Sequence, residues 1–398
     1  MNQYKPLQDK ITLALEHFSS GRIKETLDII EALIKNYPEE SKLFNISGAC
    51  YVQIGELDTA IKFYEKSIKI NPKYAEAHFN LANTLQEKKL LENSIISYKK
   101  ALEIKPKYAE AHNNLGGVFQ ELGRLEDASK CYESAILINP NYAAALYSLG
   151  TVSKDLGKLK DAVKYLNKVL EIKPNIAPLH NDLGIILNEL DQKELAIKHF
   201  KKALLIKPNF SEVCNNLGIA LQDLNLHEEA IEQYEKALEI NPTLVDAHLN
   251  LGSIYQDLEK INQSIDHYNE ALFINPNSAE ANNNLGVIFQ ELGNVDQALD
   301  YYKKALEINP TFADAFFNLG FIYQDLGQVQ NAIYNYENAI SINNHAMAYH
   351  NLSYLKDFKS NDRYITQIHT LLSSNEITEG DRIQLCLALA RVNGRLEN

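Results

Sequence analysis

The sequence predicts an all-α fold, a right-handed superhelical solenoid of antiparallel helix pairs. Two observations predict it: prolines return every 34 residues, and small and aromatic residues keep fixed positions between them. Because each unit of such an array packs only against its neighbours, a chain of 398 residues needs no division into globular domains. The prolines of the series are Pro38, Pro72, Pro106, Pro140, Pro174, Pro208, Pro242, Pro276 and Pro310.

Small and large residues alternate in a way that predicts two helices in each unit. When the proline is placed at position 32 of the unit, position 7 is usually Leu and position 8 is usually Gly. Positions 20 and 27 are mainly Ala, and position 24 is mainly aromatic. The small residues let two helix backbones approach closely, while the Leu and the aromatic ring fill the layer between them.

The turns are marked by Gly at position 15, which supplies the left-handed residue that ends the first helix. Asn225 and Asp191 replace this Gly in two units, and Lys89 and Glu259, which suit a left-handed turn less well, replace it in two others. We expect the second helix to end before the proline, because the proline ring disfavours the α conformation in the residue that precedes it.

The period and its Leu-Gly, Ala, aromatic, Ala and Pro columns resemble the tetratricopeptide repeat. The resemblance implies a superhelix with a concave groove, and a partial eleventh unit begins near Ala346. The register fails after Lys356. The ten complete units are 7–40, 41–74, 75–108, 109–142, 143–176, 177–210, 211–244, 245–278, 279–312 and 313–345.

Three parts of the chain are therefore expected: an N-terminal lead over residues 1–6, the array over 7–358, and a C-terminal helical connector or cap over 359–398 that looks truncated. The last part should contain helices at 360–373 and 378–392. The first unit carries His17 and Thr26 at positions that are normally packed, as expected for an N-terminal cap.

Composition narrows the class of partner. The net charge of −13 and the pI near 5.4 disfavour binding to nucleic acid and to anionic membranes, because both require dense positive charge. We find neither a long apolar run nor an export signal in the sequence, so we expect a cytoplasmic protein. The widely spaced cysteines suit a reducing compartment; they are Cys50, Cys131, Cys214 and Cys386.

One stripe of each first helix is a candidate binding surface. Positions 2, 6, 9 and 13 share one face, whereas positions 3, 7, 10 and 14 should form the buried stripe. Position 6 is mostly Asn, with Ile46, Ser148 and Asp182 as exceptions. An amide donates and accepts hydrogen bonds, so it can pair with a peptide backbone irrespective of the peptide's side chains. The predicted peptide-binding residues are Asn80, Asn114, Asn216, Asn250, Asn284, Asn318 and Asn351.

A second interpretation of this asparagine ladder stays open: the amides hydrogen-bond between repeats or simply tolerate water. The stretches from Ala109 to Gly116 and from Ser211 to Gly218 resemble the superhelical repeats of protein O-GlcNAc transferases. In that family an asparagine ladder grips extended substrate peptide, so the resemblance implies the same role for the seven asparagines. Their best-preserved stretch is 211–351.

Acidic residues flank the ladder at positions 2 and 13 and predict a partner that contains Lys or Arg. The helix dipole alone explains acids at position 2, near the helix N-terminus, but not at position 13, near its negative end. Acids at position 2 also argue against capture of a carboxylate. The predicted acidic rail at position 13 consists of Glu121, Asp155, Asp223, Asp257, Glu291 and Asp325.

Nothing in the sequence predicts an enzyme, a cofactor or a metal site. A phosphate loop, a nucleophile elbow and paired cysteines are all missing from it. Four histidines share position 4, which we expect to be a packing column whose members lie too far apart to bind one metal ion. They are His78, His112, His180 and His248.

The run from Asp381 to Ala390 resembles the connector that follows the repeats in bacterial tetratricopeptide-sulfotransferase proteins. Two functions remain open. The first is a non-catalytic scaffold that binds an extended segment of another protein, of basic character. The second is the substrate-recruiting arm of a larger sulfotransferase or O-GlcNAc-type glycosyltransferase whose catalytic domain is absent from this chain. The terminal helix could also support self-association.

Overall fold

The computed structural model describes residues 5–359, 362–374 and 377–396. These residues form 23 α-helices and, among them, no strand. The predicted all-α fold of helix pairs is confirmed. The helices are α1 Lys5–Ser19, α2 Ile23–Asn36, α3 Ser41–Gln53, α4 Leu57–Ile70, α5 Ala75–Glu87, α6 Leu91–Ile104, α7 Ala109–Glu121, α8 Leu125–Ile138, α9 Ala143–Asp155, α10 Leu159–Ile172, α11 Ala177–Glu189, α12 Lys193–Ile206, α13 Ser211–Gln222, α14 His227–Ile240, α15 Val245–Asp257, α16 Ile261–Ile274, α17 Ala279–Glu291, α18 Val295–Ile308, α19 Ala313–Asp325, α20 Val329–Asn343, α21 Ala346–Leu355, α22 Arg363–Ser373 and α23 Glu379–Leu396.

The chain forms two compact units, Met1–His199 and Phe200–Asn398. Within each unit, the first helix of a repeat packs against the second helix of the same repeat, as α7 does against α8 and α17 against α18. First helices also contact the first helix of the following repeat, as in the series α13, α15, α17 and α19 of the second unit. Each unit is therefore a stack of helix pairs with its first helices side by side.

A glycine and a tyrosine set the spacing of the two helices of a repeat. A Cβ atom on Gly116 would lie 2.7 Å from Cε1 of Tyr132, whose side chain is almost completely buried. In the second unit a Cβ on Gly252 would lie 2.5 Å from the ring of Tyr268. Since real Cβ atoms do not approach so closely, the ring occupies the volume that a larger residue at position 8 would need.

The residue at position 15 is left-handed whether or not it is glycine. Gly123 has a φ of 72°, and Lys89 and Glu259 have φ values of 61° and 57°. The turn at Lys89 keeps the hydrogen bond from Leu90 N to Leu85 O, at 2.9 Å, that closes this type of helix end. The turn prediction is confirmed, and the turns at Lys89 and Glu259 hold a conformation that L-residues disfavour.

The proline turn is also held by a side-chain hydrogen bond that the sequence pattern did not predict. Asn71, the residue before Pro72, is extended with φ −131° and ψ 90°, which confirms that the second helix ends before the proline. Its side-chain Oδ1 accepts a hydrogen bond from Lys73 N at 3.1 Å. The same bond recurs at Asn241 and Asn309. Asparagine before proline thus fixes the turn as well as ending the helix.

Position 14 of the predicted buried stripe is buried less consistently than the other three. Positions 3, 7 and 10 are buried, and at position 14 of the first unit Leu122, Leu156 and Leu190 are half-buried against the core. In the second unit Leu258, Leu292 and Leu326, at the same position, are exposed by 36%, 57% and 46%. Each of these three leucines is the C-cap of its helix, where the helical period on which the prediction rests comes to an end.

The two helices expected after the array are α22 and α23, although residues 360 and 361 of the predicted span lie outside the described residues. The last helix packs against α21. Its Arg395 donates hydrogen bonds to the carbonyl oxygens of Ser353 and Tyr354, both at 3.1 Å. Its Arg382 donates to the carbonyl of Leu372 at 2.9 Å. Two guanidinium groups of α23 therefore cap the C-terminal ends of α21 and α22.

The glycine and tyrosine packing yields a test with adjacent residues. Gly116→Ala should destabilise the protein by about 1 to 3 kcal/mol, because the added methyl group displaces the ring of Tyr132. The loss of stability should lie at the low end of this range, because the third repeat already has an alanine, Ala82, at position 8 beside Tyr98. Gly117→Ala is the control: nothing lies closer than 3.9 Å to its added Cβ. That substitution should stabilise the helix by roughly 0.5 to 1 kcal/mol. Urea unfolding measures both, and equal effects would contradict the packing role.

Candidate functional site

The asparagine ladder lies on the faces of the first helices, in two separate parts. In the second unit it runs along α13, α15, α17, α19 and α21, and every member is half-buried. In the first unit only α5 and α7 carry it, followed by Ser148 on α9 and Asp182 on α11. The second-unit members are Asn216, Asn250, Asn284, Asn318 and Asn351, and the first-unit members are Asn80 and Asn114.

Several ladder amides are held by the preceding repeat. Nδ2 of Asn250 donates to Oδ1 of Asn215 at 2.9 Å, and Nδ2 of Asn318 donates to Oδ1 of Asn283 at 3.0 Å. The acceptors occupy position 5, and both are buried. In the first unit Asn80 makes the corresponding bond to Asn45 at 3.0 Å. The inter-repeat hydrogen bond that the sequence left open is therefore present.

These bonds orient the amides but use only part of their hydrogen-bonding capacity. An asparagine side chain offers two N–H donors and an oxygen with two lone pairs. In the hydrogen bonds described, Asn250 and Asn318 each use one N–H. The remaining N–H and Oδ1 belong to a half-buried side chain with access to solvent. The same asparagine can thus join two repeats and present a donor and an acceptor to a ligand.

The ladder continues into the helix pairs through tyrosine hydroxyls. Nδ2 of Asn351 donates to the hydroxyl of Tyr336 at 3.1 Å, and that hydroxyl donates to Oε1 of Gln324 at 3.0 Å. Burial raises the pKa of Tyr336 to about 12, so the hydroxyl keeps its proton at neutral pH. The recurrent Gln at position 12, which accepts from tyrosines such as Tyr302, was the available signal and was missed.

Asp182 interrupts the ladder of the first unit with a carboxyl group. The hydroxyl of Tyr147 donates to Oδ2 of Asp182 at 3.4 Å. Burial raises the pKa of Asp182, although the hydrogen bond from Tyr147 opposes that shift. A carboxylate accepts hydrogen bonds but does not donate, so this rung cannot pair with a peptide group as an amide does.

The acidic rail stands at the C-terminal ends of the first helices. Asp257, Glu291 and Asp325 are the last residues of α15, α17 and α19, and all are exposed. Glu121 and Asp155 end α7 and α9 in the same way. A negative charge at this end opposes the helix dipole by about 0.3 to 1 kcal/mol. Helix stability therefore does not account for the rail.

Some rail residues already have partners within their unit. Glu121 forms an ion pair with Lys89, the left-handed residue of the preceding repeat. Glu291 accepts hydrogen bonds from Nε2 of Gln256 at 3.3 Å. Among the described residues, Asp257 and Asp325 form no ion pair, so the second unit keeps uncompensated negative charge on this face.

Position 2 adds a second line of acids in the second unit. Burial and the negative charge of Asp246 raise the pKa of Glu280. At the end of the series, Asp314 lies 3.5 Å from Nε2 of His345, which lowers the pKa of Asp314. Asp246 and Glu280 repel each other, and the positive charge of a Lys or Arg side chain placed near them would reduce this repulsion.

The position-4 histidines support the proline turns. Nε2 of His78 lies 3.1 Å from the carbonyl oxygen of Pro72, and His112 makes the corresponding contact to Pro106 at 3.0 Å. No group of three or more metal-ligating side chains occurs in the described part of the chain. The packing role expected for this column is thus accompanied by a hydrogen bond to the turn.

Two of these histidines face a second histidine at position 23. Nδ1 of His180 lies 3.0 Å from Nδ1 of His199, and Nδ1 of His248 lies 3.1 Å from Nδ1 of His267. Nε2 of His248 lies 3.4 Å from the carbonyl of Pro242. When Nε2–H donates to that carbonyl, neutral His248 accepts at Nδ1 and His267 donates. Each pair is then a hydrogen bond that full protonation would break.

Models of the tetratricopeptide repeat match most of the chain. The matches, described as "Tetratricopeptide repeat" or "TPR repeat", together span residues 48–175, 177–210 and 223–334. Together with the helix pairs and their 34-residue period, they establish that the chain belongs to the tetratricopeptide repeat family. This family and fold support a role in protein–protein interaction.

Two curated proteins resemble parts of the chain. A probable UDP-N-acetylglucosamine–peptide N-acetylglucosaminyltransferase, SEC of Arabidopsis thaliana, is 33% identical over 82 residues, which is 20% of this chain and 8% of the transferase. The uncharacterized protein ycf37 of Pyropia yezoensis is 31% identical over 94 residues, or 21% of this chain and 50% of ycf37. The chain thus spans half or less of either relative, and the match to the transferase shows no catalytic domain.

Among solved structures, that of yeast Tom70 aligns with 100% of this chain and 98% of its own, at 14% sequence identity and a TM-score of 0.58. At that identity the likeness concerns the fold. Separately, none of the described helices is both long and apolar enough to cross a membrane.

The histidine pair of the eighth repeat gives a pH-dependent prediction. Burial and His248 lower the pKa of His267, while Asp266 and Glu270 oppose that shift. The unfolded chain, whose histidines titrate near 6.5, therefore binds more protons than the folded chain below about that pH. The free energy of unfolding contributed by this residue should be fully present above about pH 6.5 and should decrease as the pH falls.

His267→Gln removes this titration and introduces the residue that occupies position 23 of the seventh repeat. We expect the loss of stability between about pH 7.5 and about pH 5.5 to be smaller in the variant than in the unsubstituted protein. Urea unfolding at both pH values measures the difference. Equal losses in the two proteins would show that the pair does not couple folding to protonation.

Proposed function

We propose that the protein is a non-catalytic scaffold that binds an extended segment of another protein along the first helices of its second unit. The observation that carries this proposal is the ladder from Asn216 to Asn351, one amide on each first helix. Bonds to the preceding repeat orient Asn250 and Asn318, and their remaining donor and acceptor suit a backbone amide. The matched repeat family supports the same role.

Stacked repeats suit an extended ligand better than a compact one. A peptide backbone presents a donor and an acceptor at every residue except proline, in a direction that its side chains do not change. A row of oriented amides can therefore bind many sequences. Side-chain selectivity must come from neighbouring positions such as the half-buried Ile219 and Val287 and the exposed Phe321.

The acidic rail makes the proposed ligand basic. Asp257, Glu291 and Asp325 flank the ladder at the negative ends of three helices, and Asp246 and Glu280 repel each other on the other side. A Lys or Arg side chain at either line would relieve an unfavourable interaction that the empty face retains. We include a cytoplasmic location in the proposal, which the four unpaired cysteines support.

We further propose that the array extends over residues 7–358 and that residues 359–398 form its C-terminal cap. A second candidate function, the substrate-recruiting arm of a larger transferase, is favoured by the match to the N-acetylglucosaminyltransferase. Reading the gene and its neighbours tests it: a transferase domain or an adjacent transferase gene supports the arm, and a gene encoding neither contradicts it.

Two matched double substitutions distinguish peptide binding by the ladder from a purely structural role in joining repeats. Asn250→Ala with Asn318→Ala removes two ladder amides, whereas Asn215→Ala with Asn283→Ala removes the same two inter-repeat bonds from the buried side. If the ladder binds peptide backbone, the first pair should weaken binding by about 0.5 to 1.5 kcal/mol for each lost bond. The second pair should weaken it less.

Binding is measured on an immobilised library of short Lys- and Arg-rich peptides by surface plasmon resonance, with circular dichroism melts for both double variants. Equal losses of affinity in the two would assign the asparagines to repeat stacking alone. Unchanged affinity in both double variants would show that the ladder asparagines do not bind the peptide.

The rail yields a prediction in which binding and stability change in opposite directions. Asp257→Asn with Asp325→Asn should weaken binding of the basic library, most clearly at low salt, where charges are least screened. The same variant should gain stability of about 0.3 to 1 kcal/mol per site, because the charge no longer opposes the helix dipole. Asp266→Asn, on the second helix α16, is the control. A basic library that binds all three proteins equally would contradict the rail.

A further inference from the structure

The last helix presents an apolar stripe to solvent. One side of α23 is buried, with Leu385, Ala388 and Val392 exposed by no more than 1%. On the opposite side Ile383 is 53% exposed and Leu387 is 48% exposed. Cys386, just before Leu387, and Ala390, three residues after it, are also exposed. The stripe therefore follows the spacing of three and four residues that defines one face of a helix.

This helix is fixed firmly enough to serve as a docking platform. Arg395 donates to the carbonyls of Ser353 and Tyr354, and Arg382 donates to those of Leu372 and Ser374. The buried side belongs to the same hydrophobic cluster as α20, α21 and α22. The exposed stripe is therefore the outer surface of a packed element, and a partner would not have to order it first.

Charge is distributed along the stripe in a self-complementary way. Glu379 stands at its start and Arg391 near its end, and both are exposed. In the described part of the chain neither forms an ion pair, although the guanidinium of Arg391 lies over the ring of Tyr354 at 3.6 Å. An acidic start and a basic end on one helix match a second identical helix that runs in the opposite direction.

The register of such a pair follows from the residue numbers. In an antiparallel pair whose midpoint lies at the level of residue 385 along the helix, on the exposed side, Glu379 lies opposite Arg391 and Ile383 lies opposite Leu387. The same register places Gly380 opposite Ala390, where two small residues allow the backbones to approach. Three independent pairings, of opposite charge, of large apolar residues and of small residues, thus agree on one centre.

We propose that this stripe of α23 binds the same stripe of a second copy of the chain, antiparallel and related by a twofold axis that crosses the stripe between Ile383 and Leu387. A parallel arrangement would place like charges together. The more exposed apolar residues Leu137, Leu205 and Phe273, at 84%, 83% and 83%, each follow polar residues three and four positions earlier on the same helix face, so they form no stripe. This interface is independent of the ladder, since no residue of α23 contributes to it.

Sedimentation equilibrium of the full chain tests the proposal. Leu387→Glu places an unpaired carboxylate in the apolar centre and should raise the dimer dissociation constant about tenfold or more. Leu205→Glu, an equally drastic change at a more exposed leucine of α12, should leave the dissociation constant unchanged. A monomeric unsubstituted protein, or a dimer that neither substitution affects, would overturn the proposal.

A charge exchange keeps the test valid if Leu387→Glu fails to fold. Glu379→Arg alone and Arg391→Glu alone should each weaken the dimer, because like charges then meet in the pair. The double variant should restore dimerisation, since the exchange recreates both opposite-charge contacts. Loss of dimerisation in the double variant, with an unchanged circular dichroism spectrum, would contradict the antiparallel register.

Chemical cross-linking locates the interface directly. Cys386 is the exposed member of the four cysteines and lies beside the proposed twofold axis. A short bis-maleimide should join two chains through Cys386, and Cys386→Ser should abolish the product. Cross-linking that persists in Cys386→Ser, or a dimer in which Cys386 does not react across the interface, would place the contact elsewhere.

Discussion

The close approach of the two helices in each repeat is the constraint on which the rest of the structure depends. At position 8 a hydrogen atom faces an aromatic ring, as Gly116 faces Tyr132 and Gly252 faces Tyr268. The glycine thereby fixes the position of the ring. As a result the hydroxyl of Tyr132 hydrogen-bonds to Gln120, and the hydroxyl of Tyr336 hydrogen-bonds to Asn351. The polar network beside the ladder asparagines thus depends on a steric relation inside the core.

Much of this architecture could be predicted from the sequence because it is local and repeated. The left-handed turn at Gly123 and the extended residue Asn71 follow from the backbone preferences of single residues. The same reasoning was less accurate at position 14, where Leu292 is exposed and Leu122 is half-buried, because a helical period was extended past the point where the helix ends. Periodicity gives the direction of a side chain only within a helix.

The candidate site was predictable in its residue types but not in its contacts. The row of asparagines is visible in the sequence, whereas the bond from Asn250 to Asn215 joins two repeats and depends on how the first helices stack. The histidine pairs were missed for a similar reason, since His248 and His267 lie on different helices and only the packing brings their Nδ1 atoms within 3.1 Å. Side-chain pairs between helices require a register that spacing alone does not supply.

The bonds from several ladder amides to the preceding repeat also bear on the stability of the stack. In a stack where each repeat contacts only its neighbours, stability is approximately the sum of the stabilities of the repeats and of the contacts between neighbours. Asn250 and Asn318 contribute to the contact between repeats and also to the surface that we propose binds a peptide. On that proposal, a ligand that bridges successive amides would add to the contacts between neighbouring repeats, so that its binding would stabilise the second unit as a whole.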